Sequence, residues 1–296
     1  MHRFKISNKW TAQDYDIDRV TFEKITGKRR PWYPTPDELN PYALCPWCDN
    51  PIQIVGLYKV PKNTDNPYGR HTGKDIPSVA RHSQMKYEYC PFASHSRAFG
   101  DPEERTDETE WSQEIKGLFI EECDAAVWVL QTSLGIKLTN KRVREIVKAF
   151  ADNRGWLYPG ITRQNLPYIL GYLFARINLF GQGIKIESEL DQVLRTELPN
   201  IRREVRSGYA YYLSDKGGRF YSIRLSMLAH KRNVINHEID ERFELILGIQ
   251  ESGDLEEKTY IIADCKVQQD FFIRVINSPQ RKRVEAIREF VNSLID

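Results

Sequence analysis

Between Glu110 and Leu134, apolar residues return at helical spacing: Trp111, Ile115, Leu118, Phe119, Ala126 and Val129 share one face, and Glu122 is its polar member. An acidic first turn suits the positive end of a helix dipole, and Gly135 supplies a stop. Leu138 to Ala151 repeats the pattern, with Thr139 or Asn140 as cap and Val143, Ile146, Val147 and Phe150 facing inward. A third helix is expected within 161–180, with Pro167 near its first turn and Gly171 inside it, and a fourth over 187–198, closed by Pro199.

From Gly208 the period shortens to that of strands. Two runs flank Asp215-Lys216-Gly217-Gly218, which reads as a hairpin turn, and two more, 243–250 and 259–267, flank Ser252-Gly253-Asp254. A last helix over 279–295 would bury Val284, Ile287, Phe290, Val291 and Leu294.

The N-terminal third is patterned differently. Residues 28–42 carry four prolines and predict an extended arm over 1–42. Ile52 to Val60 reads as a strand interrupted by Gly56, and polar turns follow it. The expected class is α+β: a small zinc-ribbon-like module over 43–100, a helical region over 101–200, and an antiparallel sheet with a C-terminal covering helix over 201–296. On its own, 43–100 has few apolar positions, and a metal ion would make up the deficit.

Cysteine placement supplies a candidate. Cys45-Pro46-Trp47-Cys48 is a knuckle that can aim two thiolates at one ion, and Cys90-Pro91-Phe92 echoes its first half with Ala93 where a fourth cysteine would stand. A histidine must complete the set. His71 is favoured because a hairpin returning from the 52–60 strand carries it back to the knuckle, while His95 is the alternative and His82 lies between them. Three thiolates and an imidazole leave no place for water, so the zinc would be structural. A redox dithiol fits less well, because Asp49-Asn50-Pro51 points to a turn into a strand rather than a helix start. Cys123 and Cys265, with no ligand type nearby, read as small buried hydrophobes.

The net charge of +2 hides an uneven distribution. Residues 137–232 carry 18 basic against 8 acidic side chains, between acidic neighbours. Within that block Arg202, Arg203 and Arg206 precede Tyr209, Tyr211 and Tyr212, and Lys216, Arg219, Tyr221 and Arg224 follow. Cations neutralise phosphates while flat rings accept bases, so this interleaving points to nucleic acid, DNA or RNA, although cross-strand aromatic packing explains the tyrosines equally well. Alternation on a strand sends Tyr209 and Tyr211 one way and Tyr212 the other. A second cluster, Arg142, Arg144 and Lys148, lies on the 139–151 helix.

A different chemistry is suggested by Tyr260-Ile261-Ile262-Ala263-Asp264-Cys265-Lys266. An acid, any residue and a lysine at the end of a core strand resembles the active strand of the PD-(D/E)xK nuclease superfamily, over this strand and its hairpin partner. The resemblance implies Mg²⁺ held by Asp264 with Lys266 beside it, and a further carboxylate from Glu244, or from Glu241 or Asp254. The chain departs from that family in having Asp264 where glutamate is commoner, and no aspartate ending the partner strand. His230, His237 and Glu238 lack the zinc-protease spacing, and neither a glycine-rich phosphate cradle nor a nucleophile elbow is present. The leading expectation is thus a zinc-stabilised nucleic-acid-binding protein, with an Mg²⁺ nuclease and a protein-docking zinc module as alternatives. No run of signal-peptide type opens the chain and none approaches the ~20 apolar residues that cross a bilayer, so a cytoplasmic protein without a membrane partner is expected.

Overall fold

Two hydrophobic cores organise the chain, and the smaller one is built from residues far outside the cysteine segment. A computed structural model describes residues 1–9, 11–35, 39–62, 64–94, 98–214, 220–253 and 256–295. Its first elements are β1 (Arg3–Phe4), β2 (Tyr15–Asp16) and α1 (Arg19–Thr26), followed by β3 (Tyr42–Leu44), β4 (Pro51–Val55), β5 (Tyr68–His71) and α2 (Gln84–Glu88). Asp18 caps α1 through the Thr21 amide, and Gly27 ends it in the left-handed region. Phe4, Ile17, Phe22 and Tyr33 are buried against Ala43, Ile52, Ile54 and the three cysteines of the module. The extended arm expected over 1–42 is therefore corrected. The prolines restrict only the stretch after α1, and the residues before it supply apolar surface that 43–94 lacks.

The larger core begins with α3 (Glu110–Leu134), held at its start by a reciprocal Thr109–Ser112 capping box and at its end by Gly135 at φ 63°. It continues through β6 (Ile136–Lys137), α4 (Asn140–Asp152), a 3-10 turn over Gly155–Leu157, α5 (Leu166–Tyr172), β7 (Ile177–Asn178), β8 (Gly183–Lys185) and α6 (Glu189–Glu197). The single long helix expected within 161–180 is reduced to α5. Ala175 turns to φ 63° and Ile177 pairs with Leu225, so the chain leaves the helix for a sheet edge. Gly171 belongs to this packing: a Cβ there would lie 2.6 Å from the Met227 sulfur and 2.9 Å from Leu130.

The strands β9 (Arg202–Arg206), β10 (Tyr209–Leu213), β11 (Tyr221–Ile235), β12 (Glu238–Glu251) and β13 (Lys258–Lys266) precede α7 (Phe271–Ile276) and α8 (Glu285–Ile295). Among the described residues all pairing is antiparallel, in four sheets: β1-β2, β3-β4-β5, β6-β8-β10-β9 and β13-β12-β11-β7. The hairpin expected between the runs flanking 215–218 does not form among the described residues, because β10 and β11 lie in different sheets. Its turn, with Lys216 and Arg219, falls outside the described residues. The expected β12–β13 hairpin is present.

The longest hairpin among the described residues, β11–β12, is not among the elements expected from the sequence. Asn236 and His237 both take positive φ, 50° and 64°, as a two-residue hairpin turn of primed type requires. The closing helix starts later than expected, and Val284, just before α8, is 47% exposed while Val291 is buried.

Candidate functional site

Cys45 and Cys48 sit on the turn between β3 and β4, His71 at the end of β5, and Cys90 just after α2. The β4–β5 pairing sets His71 opposite Ile52, which returns the histidine to the knuckle as the hairpin argument requires. One ligand atom from each residue lies within 4.8 Å of every other. The Cys45 and Cys90 sulfurs are 3.7 Å apart, and His71 Nε2 is 3.3 Å from Cys48 Sγ and 3.8 Å from Cys90 Sγ. A tetrahedral ion with bonds of about 2.3 Å to sulfur and about 2.0 Å to nitrogen separates its ligands by roughly 3.5–3.8 Å. The donor set therefore fits a metal ion.

All three thiols are buried. Burial works against ionisation of Cys45, yet hydrogen bonds with Cys48 and Cys90 and the neighbouring His71 hold it well below the ordinary thiol range. Burial raises Cys48 and Cys90. A cation supplies the counter-charge that three clustered sulfurs need to ionise together. Asn50 adds an outer contact, donating to Cys48 Sγ at 3.4 Å and to the Ser83 carbonyl at 3.0 Å. His82 lies outside the cluster, hydrogen-bonded to Gln84, and His95 lies outside the described residues.

The knuckle is plugged into the larger core. Pro46 accepts from Gln164, and the Trp47 indole donates to Gln269 Oε1 at 3.2 Å. Asp49 pairs with Lys5 and with Arg163, whose side chain is 2% exposed. Gln269 continues inward to Glu241 at 2.8 Å, and the Glu241 carboxylate also meets Asn165 at 2.8 Å and His230 Nε2 at 2.7 Å. His230 Nδ1 reaches the Tyr158 hydroxyl at 3.0 Å. Despite burial, His230 and Arg232 hold the Glu241 carboxyl down to about 2. No local spacing in the sequence announces this chain of contacts, since its members come from five separate segments.

The basic and aromatic residues divide by strand face. Tyr209 stands opposite Arg206 and Lys185, and Tyr211 opposite Glu204 and Gly183, on the side of the β6-β8-β10-β9 sheet away from the core. Lys137 lies over the Tyr209 ring at 5.8 Å and Arg206 over Tyr211 at 5.9 Å. Glu204 pairs with both Arg202 and Arg206. On the opposite face Tyr212 is fully buried, its hydroxyl on Asp191, and Arg203 closes the same carboxylate at 2.9 Å. Arg203 is thereby removed from the candidate nucleic-acid set. The cluster on α4 is also engaged internally: Arg142 pairs with Glu145, Lys148 with Asp152, and Arg144 stacks on Phe290.

The carboxylates expected around Asp264 do not converge. Asp264 faces Arg242 at 3.4 Å, and Glu244 pairs with Lys231. Glu241 points the other way, into the core, because strand alternation separates it from Glu244. Asp254 falls outside the described residues. Among the described residues, the Cys45, Cys48, His71 and Cys90 cluster is where metal-ligand types gather. Cys123 and Cys265 are buried apart from it, each thiol pushed up to about 12 mainly by burial. Among the described residues, no helix is long and apolar enough to cross a membrane. Comparison of the chain with protein-family models, with curated proteins and with solved structures finds no match.

Proposed function

We propose that this chain is a zinc-stapled protein that binds single-stranded nucleic acid on the open face of the β6-β8-β10-β9 sheet. Zinc is the ion assigned because three thiolates and one imidazole at tetrahedral separations suit its softness and geometry, whereas Mg²⁺ takes oxygen ligands. A closed four-ligand site is structural, so function is sought on a surface that the metal helps to hold.

The observation that carries the reading is the company kept by Tyr209 and Tyr211. Lys137, Lys185, Arg202 and Arg206 surround them on one sheet face, with Glu204 as the acid among them. Rings that stack on bases contribute about 1–3 kcal/mol per base, and each cation displaces counterions from phosphate. Fluorescence anisotropy with a labelled oligonucleotide over a salt series tests this. Binding that weakens with salt and is reduced by Tyr211→Ala supports it, and binding unaltered by Tyr211→Ala and Arg206→Gln together contradicts it. Asp264, already engaged by Arg242, gives no comparable support to the nuclease reading.

A further inference from the structure

Trp128 is an aromatic ring that the larger core does not enclose. It is 50% exposed, although its neighbours Val127, Val129 and Leu130 on α3 are buried. The ring meets Phe271 of α7 edge-on at 5.8 Å, and it lines a cavity of about 390 Å³. Ala125 of α3, Val275 of α7 and Val284 just before α8 form the apolar part of the same wall. That volume falls within the range of small-ligand sites, about 300–1,000 Å³. A large exposed aromatic side chain beside an apolar cavity offers a surface on which a second ring can pack.

The cavity is held open by fixed contacts. The α3 backbone leaves helical geometry at Glu122, and Asp124, Ala125 and Trp128 then share one face of the helix. Arg281 reaches back to both Glu122 and Asp124, and Asp124 accepts the Val284 amide at 3.0 Å. These contacts pin the segment before α8 to α3, with the cavity between them.

The charges at this place do not cancel. Arg281 and Arg283 are engaged by the two carboxylates, Glu122 and Asp124. Lys282, which stands between those arginines in sequence and lines the cavity, makes no ion pair or hydrogen bond among the described residues. One ammonium is therefore in excess beside an aromatic and apolar wall, and an anion carried on a ring satisfies both. We propose that this cavity binds an aromatic carboxylate, with its ring against Trp128 and its carboxylate toward Lys282. None of these residues belongs to the β6-β8-β10-β9 sheet, so the site is independent of the nucleic-acid face.

Isothermal titration of the full chain with indole-3-acetate, indole and tryptamine, which share one ring system and differ in charge, tests the proposal. Indole-3-acetate is expected to bind one per chain, more tightly than indole, with tryptamine weakest. Lys282→Gln, at an exposed position, is expected to remove the advantage of indole-3-acetate over indole, a factor of about two to five for an exposed charge pair. Trp128→Ala is expected to weaken indole-3-acetate about tenfold through loss of the ring contact. Val284→Phe, at a position 47% exposed, fills the cavity and is expected to abolish saturable binding. The indole N–H resonance missing from the ¹H–¹⁵N spectrum of Trp128→Phe identifies Trp128, and that resonance is expected to move as indole-3-acetate is added; the same spectra show that each variant is folded. Tyr211→Ala is expected to change none of this, so failure here and failure at the sheet face are read separately. The proposal is overturned by absence of saturable indole-3-acetate binding, by tryptamine binding as tightly, by binding that Lys282→Gln and Trp128→Ala leave intact, or by a Trp128 resonance that stays in place at saturation.

Discussion

Arg163 grips Asp49 with both terminal nitrogens, at 2.9 and 2.5 Å, across 114 residues of chain. The arginine stands just before α5 in the larger core, and the aspartate directly follows the second cysteine of the knuckle. Glu114 of α3 shares the same guanidinium at 2.6 Å, and the Trp111 ring lies 5.2 Å from it. A buried cation thus fastens the cysteine-bearing turn to the helical body. Lys5 contacts Asp49 as well, but burial and the nearby Arg163 lower its own proton affinity, so Arg163 is the stronger anchor.

Acid should loosen this joint. Against the opposing effect of burial, Arg163 and Lys5 hold Asp49 at about 2, below its ordinary 3.8. A carboxyl depressed in the folded state contributes stability that is fully present above the unfolded value and is lost as pH falls from about 3.8 toward about 2, here about 2 kcal/mol. Urea titrations from pH 5 to pH 2 should show that loss, and Asp49→Asn should remove it. Arg163→Met, which leaves the buried Asp49 with only Lys5 and Lys86 as cations, should destabilise the chain at neutral pH by less than the about 3–5 kcal/mol of a carboxylate left wholly unpaired.

His230 predicts a second pH dependence, nearer neutrality. Burial lowers its pKa from 6.5 against the pull of Glu241, so the folded chain keeps the ring neutral where the unfolded chain takes a proton. Its contribution is complete above pH 6.5 and falls as pH drops below that value. Denaturation midpoints measured between pH 7.5 and 5.5 should decline in the parent, and His230→Gln should flatten the decline.

Glu122 lies within α3 at a non-helical φ of −128°, buried, where Arg281 and Arg283 meet it. Arg281 also holds Asp124 at 2.5 Å, and Asp124 accepts the Val284 amide just before α8. Arg281→Ala should leave the buried Asp124 without its cation and Glu122 with Arg283 alone, and destabilise the chain by about 3–5 kcal/mol. Glu122→Gln, which keeps the volume, should cost less. Chemical denaturation of both variants checks the order, and equal losses would contradict it.

On the sheet face, the predicted signature is a division of labour. Arg206→Gln should reduce the dependence of log K on log salt by about 0.7, the value for one phosphate contact on a single strand. Tyr211→Ala should leave that slope alone and lower affinity about 5- to 150-fold, the equivalent of one stacked base. Arg203→Gln should act differently, through the fold, because Arg203 neutralises the buried Asp191.

Legibility in the sequence followed locality. The α3 helix, its stop at Gly135, the β12–β13 hairpin and the His71 return were readable because period, turn residues and short loop closure are encoded within a few tens of residues. Glu122 was visible as a polar break in an apolar face, though not as a kink, since Arg281 and Arg283 lie far along the chain. The N-terminal segment was not legible, because its prolines signal an extended chain locally while Phe4, Ile17 and Phe22 find their apolar partners in the β3-β4-β5 sheet. The strands flanking 215–218 were joined in the reading by turn chemistry alone, while β10 found β8 and β9, and β11 found β12 and β7. The Asp49–Arg163 and Glu241–His230 contacts have no local signature at all.

The most direct test is native mass spectrometry of the purified chain with elemental analysis, before and after chelation. One zinc ion per chain is predicted, absent from Cys90→Ser, with loss of the metal lowering the melting temperature and exposing amides of 42–55 and 68–71 to hydrogen exchange. A chain that carries no stoichiometric zinc while those amides stay protected would contradict the account.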